Sequence, residues 1–288
     1  MAETVTKTRA LGRSGTLVSA LGVGTNKWAA GKNDASVLET YRACQDGGIS
    51  FFDTAEIYGF GKSERLLGDC IRQDGRTAFV ATKFAPVPFR SAPRHLFKAL
   101  DGSLARLGTG AIDLYYLHFP VGDVVALADA MAEAVKQGKV RHVGVSNFGA
   151  DHMRRFADRL GQAGIPLSAN EVHYSLAARK PEKNGVLEAC REIGASLVAY
   201  FPLAMGRLAR PADPSKATPL QQAVAEIAEA HQASPSQVAL NWLLARDPCV
   251  IPIPGASKAR NAKQNIAALD WTLTGAELGR LDEAATPR

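Results

Sequence analysis

An aspartate and a tyrosine stand five residues apart in Phe51-Phe52-Asp53-Thr54-Ala55-Glu56-Ile57-Tyr58-Gly59, where an apolar run gives way to loop. A free phenol titrates near pH ~10, too high to pass protons near neutrality unaided. Two further apolar runs end on groups that could help. Phe79-Val80-Ala81-Thr82 stops at Lys83, and Ile112-Asp113-Leu114-Tyr115-Tyr116-Leu117 stops at His118. An ammonium beside Tyr58 favours phenolate, and Asp53 can partner that ammonium. His118 can hydrogen-bond a carbonyl oxygen and turn it toward Tyr58. The four groups form a proton relay with no nucleophile of its own, which suits carbonyl reduction when a cofactor supplies hydride. A lone Asp-Thr at a strand end is more often a helix cap, and a lone Lys or His a structural hydrogen-bonder. Three of them closing successive strands make a site.

The elements that must position these groups are eight strand-like runs. Besides the three above they are Ala20–Gly24 before Thr25, Val140–Val145 before Ser146-Asn147, Leu167–Ala169 before Asn170-Glu171, Ser196–Ala199 before Tyr200, and Val250–Ile253 before Pro254-Gly255-Ala256-Ser257. Helical signals alternate with them: a helix capped by Asp34 and stopped by Gly47-Gly48, then 62–72, 93–107, 124–137, 151–160 and 181–193. Ser234-Pro235-Ser236-Gln237 is a capping box opening a helix that runs to Arg246. Alternation over the whole length means a parallel sheet covered by helices, and eight units favour a closed (β/α)8 TIM barrel, an α/β fold in one domain across residues 1–288. In such a barrel the strand ends converge on one rim, where the chemistry lies. Residues 8–19 read as an N-terminal β-hairpin plugging the opposite end, and Ala204–Pro219 as an irregular rim loop.

Composition excludes several other classes. The 34 basic and 28 acidic residues give a formal charge of +6, without basic clusters interleaved with aromatics, so nucleic acid is not an expected partner. The modest excess suits an anionic small ligand. Cys44, Cys70, Cys190 and Cys249 lack CxxC spacing and read as buried reduced thiols. The N-terminal stretch lacks the apolar core of a signal peptide, and no run reaches the ~20 apolar residues of a membrane span. A cytoplasmic protein, monomeric or weakly homo-oligomeric, is the expectation. No histidine pair has H-x-x-x-H spacing, so no metal is expected. Gly61-Lys62-Ser63 lacks the leading glycine of a P-loop. Gly144-Val145-Ser146-Asn147-Phe148 lacks the closing glycine of a nucleophile elbow, and no G-x-G-x-x-G follows a strand.

With these motifs together, the chain resembles the aldo-keto reductase superfamily. The resemblance runs from Arg9-Ala10-Leu11-Gly12-Arg13 to about Leu281. It rests on residues 48–64 around Asp53 and Tyr58, on Ala81-Thr82-Lys83, on Asp113 to His118, on Gly144 to Phe148 and on Tyr200-Phe201-Pro202-Leu203. It implies a barrel binding NADPH/NADP+ along the rim without a Rossmann fold, and a small carbonyl substrate. Asp53, Tyr58, Lys83 and His118 match the catalytic tetrad, with Tyr58 the general acid. Thr25, Asp53, Ser146, Asn147, Glu171, Tyr200, Pro202, Leu203, Gly255, Ser257, Lys258, Arg260, Asn261 and Asn265 match cofactor-binding positions. Ser146, Asn147 and Glu171 would hold the nicotinamide carboxamide, Tyr200 would stack on its ring, and the 253–265 segment would clamp the adenosine phosphate.

The departures concern cofactor and substrate. Glu171 replaces the usual glutamine, and its negative charge would favour the oxidised ring. Phe201 stands where a serine commonly follows the stacking tyrosine, and Lys258 and Arg260 stand near the place of an arginine that grips the 2′-phosphate. A short loop after His118 and a chain end at Arg288 suggest an open pocket. Trp28, Tyr58, Phe84, His118 and Phe119 would then face a permissive range of carbonyls. Two rival readings remain. One is a cofactor-bound regulatory or sensing subunit with little turnover, against which the intact tetrad argues. The other is a Schiff-base lyase built on Lys83, which would need a neutral lysine.

Overall fold

The computed structural model describes residues 7–30, 34–209, 213 and 215–285. Strands β1 (Thr8–Ala10) and β2 (Leu17–Ser19) pair antiparallel, with Thr8 opposite Ser19. This hairpin closes the barrel floor. Its turn residue Gly12 has φ 53°, and a Cβ there would lie 2.7 Å from the Ser168 carbonyl oxygen and 2.8 Å from that of Gly194. Only glycine tolerates both the left-handed backbone and the contact. Arg9 pins the hairpin from outside by donating to the Asp247 carbonyl at 2.8 Å and to those of Val250 and Leu244.

Eight parallel strands follow: β3 (Val23–Gly24), β4 (Phe51–Asp53), β5 (Phe79–Phe84), β6 (Ile112–Leu117), β7 (Val140–Ser146), β8 (Leu167–His173), β9 (Ser196–Tyr200) and β10 (Val250–Pro252). Each neighbours the next in sequence. The ring closes where Gly22 N–H donates to the Pro252 carbonyl at 2.9 Å and Gly24 N–H to that of Pro254 at 3.3 Å. The first run, read as 20–24, therefore contributes only two residues to the regular ladder.

Outside the sheet lie α1 (Asp34–Asp46), α2 (Lys62–Asp74), α3 (Pro93–Leu107), α4 (Val124–Lys136), α5 (Ala150–Gln162), α6 (Lys180–Lys183), α7 (Val186–Ile193), α8 (Pro219–Ala230), α9 (Pro235–Arg246), α10 (Ala259–Ile266) and α11 (Gly275–Ala284). The helix expected over 181–193 is two helices, because Gly185 adopts φ 77° and interrupts the hydrogen-bond series. Ser234 caps α9 by accepting from Gln237 N–H, as its spacing requires. The position before Asp34 lies outside the described residues, and Asp34 itself is the first residue of α1. The rim loop expected over 204–219 contains a 3-10 turn, Ala204–Gly206, and ends as α8 begins at Pro219; residues 210–212 and 214 lie outside the description. Cys44, Cys70 and Cys190 are buried thiols and Cys249 is half-buried, all unpaired.

Strand alternation divides the core. Leu11, Val18, Phe51, Ala81, Leu114, Tyr116, Ala169, Val198, Ile251 and Ile253 fill the barrel interior. Their strand neighbours, such as Phe52 stacked on Tyr41 with ring centroids 4.8 Å apart, pack outward against helices. Gly144 leaves room inside: a Cβ would come within 2.5 Å of the Tyr116 ring.

Candidate active site

The same alternation delivers the site. Moving two residues along from each interior position, Phe51 leads to Asp53, Ala81 to Lys83, Tyr116 to His118, Ala169 to Glu171 and Val198 to Tyr200. All five therefore point inward at the rim.

Lys83 is the centre. Its Nζ lies 2.5 and 2.6 Å from the two Asp53 carboxylate oxygens, 2.9 Å from the Thr54 carbonyl and 3.1 Å from Glu171 Oε2. The ammonium stands 5.3 Å from the Tyr58 ring centroid and 5.5 Å from that of Tyr116, so two aromatic faces flank it. Tyr58 meets His118 edge to face at 6.2 Å, and Phe119 stacks flat on His118 at 4.3 Å. The structure thus brings together Asp53, Tyr58, Lys83 and His118.

Burial sets the electrostatics. On its own it would lower Lys83, but Asp53 and Glu171 outweigh it and hold the ammonium charged well above its ordinary range. Burial pushes Asp53 up against the opposing pull of Lys83. It pushes Glu171 up to about 8, with Asp53 adding and Lys83 opposing. Burial also outweighs Lys83 at Tyr58, so the phenol sits above its ordinary value and is protonated at neutral pH. The lysine does act in the direction the sequence suggests, but it does not prevail. His118 is driven down to about 3 by burial and then by Lys83, so its ring is neutral.

Burial also bears on the expectation for Glu171. Burial, with Asp53 adding to it, pushes this carboxyl toward its protonated form, which works against the standing negative charge expected to favour the oxidised ring.

The remaining expected residues are distributed as follows. Ser146 Oγ donates to the Glu171 carbonyl at 3.0 Å, and Asn147 Nδ2 donates to the His118 carbonyl and to Ser146 Oγ, both at 3.1 Å. The Tyr200 hydroxyl donates to Asn147 Oδ1 at 2.9 Å. Thr25 is fully buried and gives its hydroxyl to the Asp53 carbonyl at 2.8 Å, bracing the strand below the site. Pro202 is buried and Leu203 half-buried just beyond β9. Gly255, Ser257, Lys258 and Arg260 are exposed at the start of α10, Asn261 is half-buried and Asn265 buried. Trp28 and Phe84 do not form an accessible wall. The Trp28 indole donates to the Ala256 carbonyl at 2.6 Å with 1% exposure, and Phe84 is buried beneath the Arg90 guanidinium. Exposed aromatics near the rim are instead Phe60, Phe89 and Phe201.

Sequence reasoning missed the Glu56–Arg90 clamp. Glu56 accepts from Ala85 N–H at 2.8 Å and pairs with Arg90 at 2.6 Å, tying the loop that carries Tyr58 to the end of β5. It also missed His173, which stacks on Tyr200 at 5.5 Å. Residues 171 and 173 share one strand face, so the period-2 rule could have found it. Phe60, Phe89, Asn147, Phe201, Ala204 and Met205 all have positive φ. Strained non-glycine backbone gathers where structure is held for function, and among the described residues all such positions but Gln232, between α8 and α9, lie on loops that follow strand ends. Among the described residues no cluster of three or more His, Cys, Asp or Glu could hold a metal ion, and no helix is long and apolar enough to cross a membrane.

The model of the aldo/keto reductase family matches residues 20–286. Pyridoxal reductase of Arabidopsis thaliana, a chloroplastic protein, is 32% identical over 309 residues, covering 93% of this chain and 83% of that protein. The NADP(+) aldo-keto reductase yakc of Schizosaccharomyces pombe is 34% identical over 275 residues, covering 83% of this chain and 79% of its own. An aldo/keto reductase of Klebsiella pneumoniae solved with NADP and acetate superposes with a TM-score of 0.85 at 30% identity, covering 98% of this chain and 97% of that one. The chain belongs to the aldo/keto reductase family.

Proposed function

We propose that this protein reduces aldehydes and ketones to alcohols with NADPH as hydride source and Tyr58 as general acid. The observation that carries the reading is the buried Asp53–Lys83 pair beneath a protonated Tyr58 and beside a neutral His118. As a member of its family the chain is an NADP(H)-dependent oxidoreductase. The residues present fit that cofactor. His118 Nδ1 is buried without a hydrogen-bond partner among the described residues, so the rim has polar capacity for a ligand. Ser146, Asn147 and Glu171 would hold the carboxamide and Tyr200 the ring face. Ser257, Lys258, Arg260, Asn261 and Asn265 would hold the adenosine phosphate. Thr25, Pro202, Leu203 and Gly255 would line the path between them.

NADPH, when bound, supplies the hydride to the carbonyl carbon. Neutral His118 offers a ring N–H to the carbonyl oxygen and orients it. Tyr58 gives that oxygen its proton as charge develops there. Lys83, kept charged by its carboxyl partners, stabilises the phenolate left behind. A proton from solvent restores Tyr58, so one carbonyl, one NADPH and one proton become one alcohol and one NADP+. The same charged Lys83 counts against a Schiff-base lyase, which needs a free amine. The exposed Phe60, Phe89 and Phe201 favour apolar carbonyls over sugars. The test follows NADPH oxidation against aldehydes, ketones and quinones at several pH values, with the alcohol identified by mass. Tight nucleotide binding without turnover of any of them would support the regulatory reading instead.

NADPH should be preferred to NADH by tens- to hundreds-fold. The first turn of α10 contains no acidic residue, and Lys258 and Arg260 stand there exposed where a helix alone favours acids. Charge-assisted contacts to phosphate contribute about 1.5–3 kcal/mol each. The Lys258→Ala/Arg260→Ala variant should lose most of the preference while its NADH kinetics stay unchanged. A double variant that keeps its original margin would put the phosphate clamp elsewhere.

A further inference from the structure

Three charged or chargeable groups are packed here with almost no water. The Lys83 side chain is 0% exposed, that of Asp53 2% and that of Glu171 3%. One ammonium therefore serves two carboxyl groups. If both were ionised the cluster would hold a net negative charge in a site with no solvent to screen it, and burial does not tolerate that. One proton must be shared by the pair. Geometry assigns it to Glu171: Lys83 takes both Asp53 oxygens at 2.5 and 2.6 Å but lies 3.1 Å from Glu171 Oε2, which otherwise has no hydrogen-bond partner.

The titratable groups that act on Glu171 come from several elements of the barrel, while its ladder neighbour on β7 is the uncharged Ser146. Asp53 and Lys83 come from β4 and β5, Tyr58 from the loop after β4, Tyr116 from β6 and Tyr200 from β9. All three tyrosines are pushed up by burial and stay neutral, so Lys83 and Asp53 supply the local charge. The cluster is thus neutral overall while the Glu171 proton is in place. A cation arriving beside it changes that balance and favours the carboxylate.

We propose that Glu171 is a proton-coupled positioning residue for the nicotinamide, neutral when the ring is reduced and neutral, and ionised when the ring is oxidised and cationic, so that NADP+ uptake expels a proton which NADPH uptake does not. The inference rests on the cofactor reading above. The proton leaves the Glu171 carboxyl for solvent, and no bond other than O–H breaks. An amide at this position could not do this, because glutamine has no proton to give up near neutrality. The Glu171 side of the equilibrium runs in one direction. Below about pH 8 the free protein holds the proton, so NADP+ affinity gains with rising pH until the carboxyl is ionised without ligand.

The test is calorimetric titration of NADP+ and of NADPH into the protein at pH 7, in buffers with different ionisation enthalpies. Protons released by the 2′-phosphate are common to both nucleotides and cancel in the difference. The wild type should release most of one additional proton with NADP+. Between about pH 6 and 8 its NADP+-to-NADPH ratio of dissociation constants should fall about tenfold. Glu171→Gln should bind both nucleotides with equal proton release and a ratio flat in pH. A residue that only packs the site would shift both affinities and leave the difference at zero in both proteins. Equal release in the wild type sinks the proposal, and that comparison decides even if the variant fails to fold. An unchanged difference in Glu171→Gln also sinks it. If NADPH binds but the difference is absent, only this inference fails; if neither nucleotide binds, the cofactor reading fails with it.

Discussion

Replacing Tyr58 by Phe is expected to remove nearly all carbonyl reduction while NADPH still binds with its wild-type affinity. Losing a general acid costs roughly 10²- to 10⁴-fold in rate, about 3–5 kcal/mol of barrier. The ring itself stays: its edge-to-face contact with His118 depends on the aromatic face, which phenylalanine keeps. The loss should therefore fall on kcat, with little change in stability. The pH profile sharpens the expectation. Tyr58 is protonated through neutrality and His118 neutral above about pH 3, so neither should bend the rate of reduction between about pH 5 and 8. Stopped-flow single turnovers with an aldehyde would separate the chemical step from product release. A phenylalanine variant that retains even about a third of wild-type kcat would remove Tyr58 from the role of acid.

The residues of the candidate site were legible because a barrel strand has period 2 and a defined end. Asp53, Lys83, His118 and Glu171 each close a run, and each sits two residues beyond a side chain in the barrel interior. What sequence could not supply was the balance of energies at that rim. It showed that Lys83 would pull Tyr58 toward phenolate, but not that burial would outweigh the pull. It showed a glutamate at position 171, but not that this carboxyl would compete with Asp53 for one lysine. Trp28 lies away from its expected place for a related reason. A tryptophan in a rim loop suggests a pocket wall, but its N–H found the Ala256 carbonyl, 228 residues away, and the ring went inside. The Glu56–Arg90 clamp likewise joins two loops with no spacing rule between them.

Helix boundaries divide the same way. Thr218-Pro219-Leu220-Gln221 and Thr274-Gly275-Ala276-Glu277 carry the same capping-box spacing as Ser234, a local signal at the starts of α8 and α11 that sequence reasoning left unused. The break at Gly185 had no such signal. A glycine within an apolar helical pattern is often tolerated, and here the chain uses its left-handed backbone to start a second helix.

Lys83→Met should be the most damaging single change, because it acts on both rate and stability. Methionine fills much of the same volume but leaves Asp53 and Glu171 facing each other, buried and without a cation. Removing one partner of a buried ion pair costs about 3–5 kcal/mol. Both carboxyls would then be forced toward the neutral form, with folded-state values raised above those of the unfolded chain. The sign follows from linkage: stability that depends on bound protons is fully present below the unfolded carboxyl range and is lost as pH rises through the raised folded values. The variant should therefore lose more of its melting temperature, relative to wild type, at pH 8 than at pH 5. Adding Asp53→Asn to Lys83→Met removes one buried charge and should recover part of the stability. It should recover no turnover, since the cation that stabilises the Tyr58 phenolate is still missing. Thermal melts at the two pH values, with NADPH oxidation on the same samples, separate the two effects. Turnover regained together with stability in the double variant would mean that Lys83 only holds the fold, and that the phenolate is stabilised by another group.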